Sequence, residues 1–248
     1  MGHPFEIDKQ IEVPATPEQA WDAITTGPEI DSWFMGRNEV EPREGGTART
    51  SFPGWTLETT VTAWDPPTRF ATRSDEGQDG SFHSFDYRVE PRAEGGTTIR
   101  WLHSGFIGGD HWEAEYEAMG EGDPMYLHKL AQYLTYFVGR TATPIDVVGP
   151  QIPDPDETWT VFRRGLGLSG PVVVDEEVHL APEGLPPLEG VVDYVSPSFL
   201  GVRTDDGLYR FIASFDGSSM VGHHIFSADI DQQQTEKTWR IWLDRLFG

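Results

Sequence analysis

The first residues of the chain alternate between apolar and polar side chains. Apolar residues occupy the odd positions Phe5, Ile7, Ile11 and Val13, and mostly acidic or amide residues stand between them. A period of two is typical of a β-strand that buries one face. Pro14 cannot donate a hydrogen bond to a neighbouring strand, so we predict that the strand ends there.

A short helix is predicted directly after this strand. Thr16 is a favourable N-cap, Pro17 suits the first helical position, and Gln19 lies where a capping box needs it. The apolar residues that follow recur at helical spacing, so the helix buries one side. Gly27-Pro28 ends this helix and opens a second short one, which finishes on two aromatic residues.

A run of short strands and then one long helix are predicted for the middle of the chain. Alternating segments joined by Gly- and Pro-rich turns fill residues 37–104, which is typical of an antiparallel meander. Residues 110–119 are predicted to be a short helix, a lid or an insertion. The best helical pattern starts with Asp123 as N-cap and Pro124 in the first turn, and it ends at Gly139.

The opening stretch resembles a known superfamily. A first strand, the run Val-Pro-Ala-Thr-Pro-Glu-Gln-Ala-Trp and a short helix ending in Trp33-Phe34 resemble the START-like helix-grip superfamily (SRPBCC). The sequence is similar to its branch of activator of Hsp90 ATPase homologues and polyketide cyclase-like proteins. Over about residues 4–140, the resemblance implies an α+β fold in which a curved antiparallel β-sheet wraps around a long C-terminal helix. It also implies a cavity between sheet and helix, but no particular reaction.

The chain is long enough for two domains. We predict a helix-grip domain over residues 1–140, and then a linker over residues 141–156, which contain four prolines. Residues 157–248 form the second domain, which we interpret as a degenerate copy of the first. The spacing from Leu188 to Pro197 repeats that from Leu57 to Pro66. The alternative is a different, smaller α+β module, or a tail that wraps around the first domain.

Charge and composition exclude several classes of function. The chain has 18 Lys and Arg against 41 Asp and Glu, a formal net charge of −23. Such a surface repels phosphate backbones and anionic lipids, so neither nucleic acid nor a membrane is expected as a partner. No apolar run is long enough for a membrane span and no signal pattern opens the chain, which predicts a cytoplasmic protein. Without cysteine, disulfides and thiolate catalysis are excluded.

No catalytic constellation stands out in the sequence. It contains no nucleophile elbow, no phosphate-binding loop and no histidine spacing typical of zinc sites, so neither a metal nor a cofactor is expected. If a pocket catalyses proton transfer, the candidate residues are His103, Glu115, Tyr116 and His128. The alternative for each is an ordinary surface polar residue.

Aromatic residues are the stronger signal. Many fall on elements that would surround a helix-grip cavity, where they would line an apolar pocket with a few polar handles. The alternative is that they fill the core, because cores and pockets use the same residue types. The predicted ligand-binding residues are Trp33, Phe34, Trp55, Phe82, Phe85, Trp101, Phe106, Trp112, Tyr116, Tyr126 and Tyr133.

These patterns together favour binding of a small hydrophobic ligand in the cavity, in a stress-related or regulatory role. One alternative is an enzyme of the cyclase/dehydrase type that acts on an apolar ligand. The other is a protein-interaction domain like the Hsp90 activators, in which the acidic surface contacts a basic protein partner, or a homodimer.

Overall fold

The computed structural model describes residues 2–52, 55–110, 112–152, 155–214 and 217–248. The chain divides into two compact units, Met1–Thr141 and Ala142–Gly248. Each unit is an α+β structure built on one antiparallel β-sheet.

In the described part of the first unit, the sheet order joins the first strand to the last. The strands are β1 (His3–Val13), β2 (Arg37–Val40), β3 (Thr47–Phe52), β4 (Trp55–Asp65), β5 (Arg69–Ser74), β6 (Phe82–Pro91) and β7 (Thr97–Ile107). The helices are α1 (Pro17–Thr25), α2 (Gly27–Ile30) and α3 (Trp112–Gln132), and a π-helical turn, Tyr133–Phe137, continues α3. The order in the sheet is β1-β7-β6-β5-β4-β3-β2, which is a meander of β2–β7 with β1 added beside β7 at one edge. The predicted α+β helix-grip class is confirmed.

The first strand and helix form as the sequence predicts. Phe5, Ile7 and Val13 are buried, and the residues between them are mostly exposed. Thr16 caps α1, because its hydroxyl accepts a hydrogen bond from the Gln19 backbone N–H while the Gln19 side chain accepts one from the Thr16 N–H. This capping box satisfies two of the backbone donors that the first helical turn leaves without partners.

The long helix begins earlier than predicted. Residues 112–119 and the segment after Asp123 belong to one helix, α3, and Pro124 lies inside it. Proline removes one intrahelical hydrogen bond and crowds the carbonyl four residues earlier. That carbonyl belongs to Gly120, whose surroundings are open, so the helix has room to adjust. Asp123 is therefore not an N-cap, and α3 packs against β1 and β7.

In its described residues, the second unit repeats the strand order of the first with one strand fewer. Its elements are β8 (Thr143–Gln151), α4 (Pro155–Gly165), β9 (Glu177–Leu180), β10 (Leu188–Val195), β11 (Phe199–Arg203), β12 (Gly207–Ala213), β13 (Ser218–Ile225) and α5 (Gln232–Phe247). The sheet order is β8-β13-β12-β11-β10-β9, so the first strand again pairs with the last. Counted from the last strand, β10 corresponds to β4, and these two strands carry the spacing repeat found in the sequence.

The prediction of a linker over residues 141–156 is wrong. Most of residues 141–156 form strand β8 and the start of α4, and residues 153–154 lie outside the described part. Within the described residues, β8 is an edge strand whose one partner is β13. Prolines are tolerated at sheet edges because one side of an edge strand needs no ladder hydrogen bonds. Ile145 and Val147 point from it into the core. The first strand of the second unit, which the sequence did not reveal, is thus this proline-containing segment.

A buried polar contact ties α2 to the sheet. The Asp31 carboxylate accepts hydrogen bonds from the Asn38 backbone N–H at 2.7 Å and from its side-chain Nδ2 at 3.0 Å. The Asn38 Oδ1 in turn accepts a hydrogen bond from the Thr50 hydroxyl at 2.7 Å. Burial raises the pKa of Asp31, and the Asn38 hydrogen bonds and the Arg37 charge offset that effect only in part.

The capping box predicts a difference between two threonines that both stand at helix N-caps. Thr16→Ala removes the capping hydrogen bond, and we expect the free energy of unfolding to fall by about 1 kcal/mol. Thr26→Ala is the matched control, because Thr26 precedes α2 without a capping hydrogen bond and its hydroxyl donates only to the exposed Asp22 carbonyl, at 2.9 Å. Its effect is expected to stay within about 0.5 kcal/mol. Guanidinium unfolding followed by circular dichroism measures both; equal losses would contradict the assigned role of Thr16.

The raised pKa of Asp31 predicts a pH-dependent stability difference. The protonated carboxyl favours the folded state, so this contribution is present below pH 3.8, the ordinary pKa, and is lost as the pH rises through the folded value. Relative to Asp31→Asn, which does not titrate, wild-type protein is expected to lose stability over that rise. Urea unfolding of both proteins across a pH series measures the difference. A relative gain with rising pH would mean that the Asn38 hydrogen bonds outweigh burial.

Candidate functional site

A pocket of about 110 Å³ opens between the α1–α2 segment and the inner face of the first sheet. Apolar and aromatic side chains dominate its wall: Ile24, Ile30, Trp33, Phe34, Val40, Ala48, Leu57, Phe70, Phe85 and Tyr87. Polar side chains are interspersed among them: Asn38, Glu39, Arg49, Thr50, Thr59 and Thr72. All of these residues belong to the first unit.

The pocket is small for a ligand site. Typical small-molecule pockets measure roughly 300–1,000 Å³, whereas a dry cavity of about 150 Å³ holds one benzene ring. The present pocket therefore suits a group of about ring size, and any larger ligand would extend out of its mouth.

The position of the pocket differs from the expected one between the sheet and the long helix. Among the described lining residues, none belongs to α3. The reason is that α3 packs over β1 and β7, at one end of the sheet, whereas the pocket lies over β2–β6. α3 approaches it only from behind, where the Tyr126 ring packs against Phe34 with centroids 4.9 Å apart.

Three aromatic residues predicted to bind a ligand line the pocket, namely Trp33, Phe34 and Phe85. Trp33 is almost fully buried, and its indole N–H donates to the Ala23 carbonyl at 2.8 Å, which fixes the ring against α1. Phe85, in β6, forms the part of the pocket wall that lies nearest to β7.

The other predicted aromatic residues lie outside the pocket. Trp55 is 57% exposed and stacks on Phe52, and Tyr116 is exposed on α3. The remaining rings do not line the pocket and make other contacts: Phe82 under the Arg73 guanidinium, Phe106 near Gly80, Trp112 on His3, Trp101 behind the pocket residue Tyr87, and Tyr133 through its hydroxyl to Glu29.

The sequence interpretation missed Tyr87 as a pocket residue, although the signal was present. Tyr87 is two residues beyond Phe85 in β6, and side chains two apart in a strand share a face. Burial raises the pKa of Tyr87, and the charge of Asp123 raises it further. Its hydroxyl therefore stays protonated and can donate a hydrogen bond.

A chain of hydrogen-bonded groups lies behind Phe85. In the β6–β7 ladder Phe85 pairs with His103, and His83 stands two residues before Phe85 on the same face. His83 Nδ1 lies 3.0 Å from His103 Nε2, and His103 Nδ1 lies 2.6 Å from a carboxylate oxygen of Asp123. The outer ring nitrogen of His83, Nε2, lies 3.6 Å from a carboxylate oxygen of Glu115.

The surroundings of this chain are mostly apolar. The His103 side chain is 5% exposed, with the Phe85 ring stacked on it at 4.1 Å and the Phe5 ring edge-on at 4.9 Å. Burial lowers the pKa of His83, as does the neighbouring His103, while the Asp123 charge opposes the shift. His83 is therefore neutral at physiological pH, with one ring nitrogen free of a proton.

Of the candidates for proton transfer, the structure brings two together and leaves two apart. His103 is in the chain and Glu115 borders it, whereas Tyr116 is exposed and His128 is partly buried farther along α3. Sequence reasoning missed His83 and Asp123. The alternation of β6 gave a signal for His83. Asp123 was hidden because its position before Pro124 indicated an N-cap.

The second unit has a pocket of its own. It measures about 530 Å³ and lies between α5, the segment before β10 and the turn between β11 and β12. Apolar side chains such as Leu185, Ile225 and Trp239 face the carboxyl-bearing Asp205 and Asp206. Its lining is therefore more polar than that of the first pocket.

Metal clusters and membrane-spanning helices are both absent from the described residues. Over the described ranges, no group of three or more His, Asp or Glu side chains is arranged to hold a metal ion. In the same part of the chain, no helix combines the length and apolar character that crossing a lipid bilayer requires.

The first unit is similar to a known protein family. Residues 4–121 match the family described as polyketide cyclase / dehydrase and lipid transport. No match was found among curated proteins.

Solved structures similar to the chain cover either half of it or nearly all of it. Protein MLL2253 from Mesorhizobium loti is 24% identical, with a TM-score of 0.46, and covers 52% of this chain and 96% of its own. The Aha1 dimer from Colwellia psychrerythraea is 21% identical, with a TM-score of 0.43, over 52% of this chain and 96% of its own. DynU16, a putative protein in the dynemicin biosynthetic locus, is 18% identical, with a TM-score of 0.44, and the match covers 97% of this chain and 95% of its own.

The family match covers β1 to the first half of α3, the part of the chain that carries the strand order, the pocket and His103. Residues 4–121 of the first unit therefore match the polyketide cyclase / dehydrase and lipid transport family, in agreement with the resemblance to START-like helix-grip (SRPBCC) proteins that the sequence predicted.

Proposed function

We propose that the first unit binds a small, uncharged, largely apolar molecule in the pocket between α1–α2 and β2–β6. The observation that carries this proposal is an open pocket whose wall is mostly aliphatic and aromatic and includes few polar groups. Burying apolar surface contributes about 25 cal/mol per Å², so such a wall favours an apolar guest.

The polar groups in the wall favour a ligand that carries a hydrogen-bond acceptor. The Tyr87 hydroxyl remains protonated because burial raises its pKa, and it can donate to a carbonyl or ether oxygen. The Asn38 side chain is held by hydrogen bonds with Asp31 and Thr50, so its orientation in the pocket wall is fixed. A ligand with one oxygen on an otherwise apolar ring fits this combination.

Charge argues against an anionic ligand. The chain has a net charge of −23, which lowers the local concentration of anions. Among the described lining residues the one cation is Arg49, which forms ion pairs with Glu39 and Glu58. An uncharged ligand is not repelled by the net negative charge and needs no free cation in the pocket wall.

The family description supports a binding role without choosing between its activities. Cyclisation, dehydration and lipid transport each require that an apolar molecule be held in a cavity, and the family combines all three in its description. The proposal therefore concerns the shared step, which is binding.

Filling the pocket tests the proposal. Ala48 lines the wall from β3, and in Ala48→Phe the added ring occupies the space that a ligand would use. We expect binding of 4-fluorotoluene, an uncharged probe of ring size observed by ¹⁹F NMR, to weaken at least about tenfold, a loss of about 1.4 kcal/mol.

The matched control makes the same substitution at an exposed position of the same unit. Ala93 lies in the turn between β6 and β7, away from the pocket wall, so Ala93→Phe is expected to bind the probe like wild type. Equal affinity in the two variants, or no binding to wild type, would rule out this pocket as the site.

A further inference from the structure

We propose that the pocket of the second unit binds a monocationic amine with an apolar, aromatic body, and that the Asp206 carboxylate holds the positive charge. This pocket lies outside residues 4–121, the part of the chain that matches a family. The proposal does not depend on a ligand in the first unit, and it concerns a ligand of different charge.

The size of the second pocket suits a small molecule. Its volume of about 530 Å³ falls within the roughly 300–1,000 Å³ that is typical of ligand sites, whereas the first pocket has room for about one ring. A ring that carries a short chain therefore fits inside it.

The charged side chains that line this pocket in the described part of the chain are all acidic. They are Glu189, Asp205 and Asp206, and none of the described lining residues is Lys, Arg or His. The N-terminus of α5 contributes about half a positive charge, which is less than the charge of a single carboxylate. The field in the pocket thus favours a cation, and the net charge of −23 raises the local concentration of cations further.

Asp206 is fixed in position but has no cationic partner among the described residues. The Thr204 hydroxyl donates to its Oδ1 at 2.9 Å, and the Ser227 hydroxyl donates to its Oδ2. The Phe226 backbone N–H donates to the Asp206 carbonyl at 2.7 Å, which ties this turn to the end of β13. Each carboxylate oxygen can accept a further hydrogen bond, so the group is oriented and ready to bind an ammonium N–H.

Tyr209 provides a second, independent indication of a ligand. It lines the pocket and is only 5% exposed, yet its hydroxyl makes no hydrogen bond to any described residue. Buried polar groups nearly always have a partner, so this hydroxyl requires one from outside the protein. Burial raises the pKa of Tyr209 and the Asp206 charge raises it further, so the phenol stays neutral. Its oxygen can accept a hydrogen bond from an ammonium group, and its ring face attracts a cation.

The rest of the wall suits an apolar ring. Trp239 of α5 and Ile225 of β13 line the pocket and are buried, and Ile230 lines it beside them. The Trp239 ring is fixed by edge-on contacts with His223 and Trp242, with ring centroids 4.5 Å and 5.4 Å away. Rigid aromatic surfaces pack well against another ring. A molecule that joins a ring to an ammonium group would therefore use both the apolar and the acidic parts of the pocket.

Three fluorinated probes of similar shape test the preference for a cation. They are 2-(4-fluorophenyl)ethylamine, 2-(4-fluorophenyl)ethanol and 3-(4-fluorophenyl)propanoate, which are cationic, neutral and anionic at neutral pH. We expect ¹⁹F NMR titrations of wild-type protein to show that the amine binds at least about tenfold more tightly than the alcohol, and the propanoate most weakly. Equal affinity for the amine and the alcohol, or no binding of the amine, would overturn the proposal.

Asp206→Asn tests which carboxylate the amine needs. The substitution keeps the shape of the side chain and its contacts with Thr204 and Ser227 but removes the charge. We expect the affinity for the amine to fall at least about tenfold, and that for the alcohol to stay within about twofold of wild type. Asp244→Asn is the matched control, because it removes the same charge from an exposed position of α5 outside the described pocket lining.

Equal loss of amine binding in these two variants would overturn the proposal, since the overall charge of the chain would then explain the attraction. The three probes on wild-type protein decide the question without any variant, should Asp206→Asn fail to fold.

Two further variants locate the bound amine. Tyr209→Phe removes the hydroxyl from the pocket, and we expect amine binding to weaken about threefold or more. Ala48→Phe fills the pocket of the first unit and should leave amine binding unchanged, even though it blocks 4-fluorotoluene. Loss of amine binding in Ala48→Phe, or unchanged binding in Tyr209→Phe, would overturn the assignment to the second unit. Failure of 4-fluorotoluene to bind would contradict only the function proposed for the first unit.

Discussion

The pairing of β1 with β7 determines the arrangement of the whole first unit. It joins segments that are far apart in the sequence, with Ile7 opposite His103, and it places β1 beside β7 at one edge of the sheet. The helix α3, which follows β7, packs over those two strands. Because α3 covers that end of the sheet, β2–β6 are covered instead by α1 and α2. The pocket lies under these short helices, and the histidine pair lies under α3. Phe85 separates the two, so both features follow from one non-local pairing.

Burial of the His103–Asp123 pair is tolerated only because its hydrogen bonds are complete. Moving a polar side chain out of water without a partner costs several kcal/mol, and a carboxylate costs more. His103 uses both ring nitrogens, and the Asp123 carboxylate receives a short, charge-assisted hydrogen bond from it. Phe5 and Phe85 keep water away from the ring. The same apolar shell that makes the site costly to form makes its hydrogen bonds strong.

The second unit shows how one topology supports different sites. In this unit too the first strand pairs with the last, as β8 with β13, and one helix follows each of these two strands. In this unit, however, the pocket lies beside the terminal helix and includes carboxyl groups, whereas the first pocket lies under the short helices and is mostly apolar. The strand order is shared, but the local side chains decide what each pocket can hold.

The sequence by itself determined the features that depend on neighbouring residues. Alternation gave β1, the capping motif at Thr16 gave α1, and turn residues gave the meander, since each is a local backbone preference. It misjudged β8 and the start of α3, because the prolines there are tolerated only at a sheet edge or beside an open glycine, which are facts of the assembled fold. The pocket position and the meeting of His83, His103 and Asp123 were decided by tertiary structure alone. These residues come from two strands and a helix, and only strand register and helix packing bring their ring nitrogens and carboxylate within hydrogen-bonding distance.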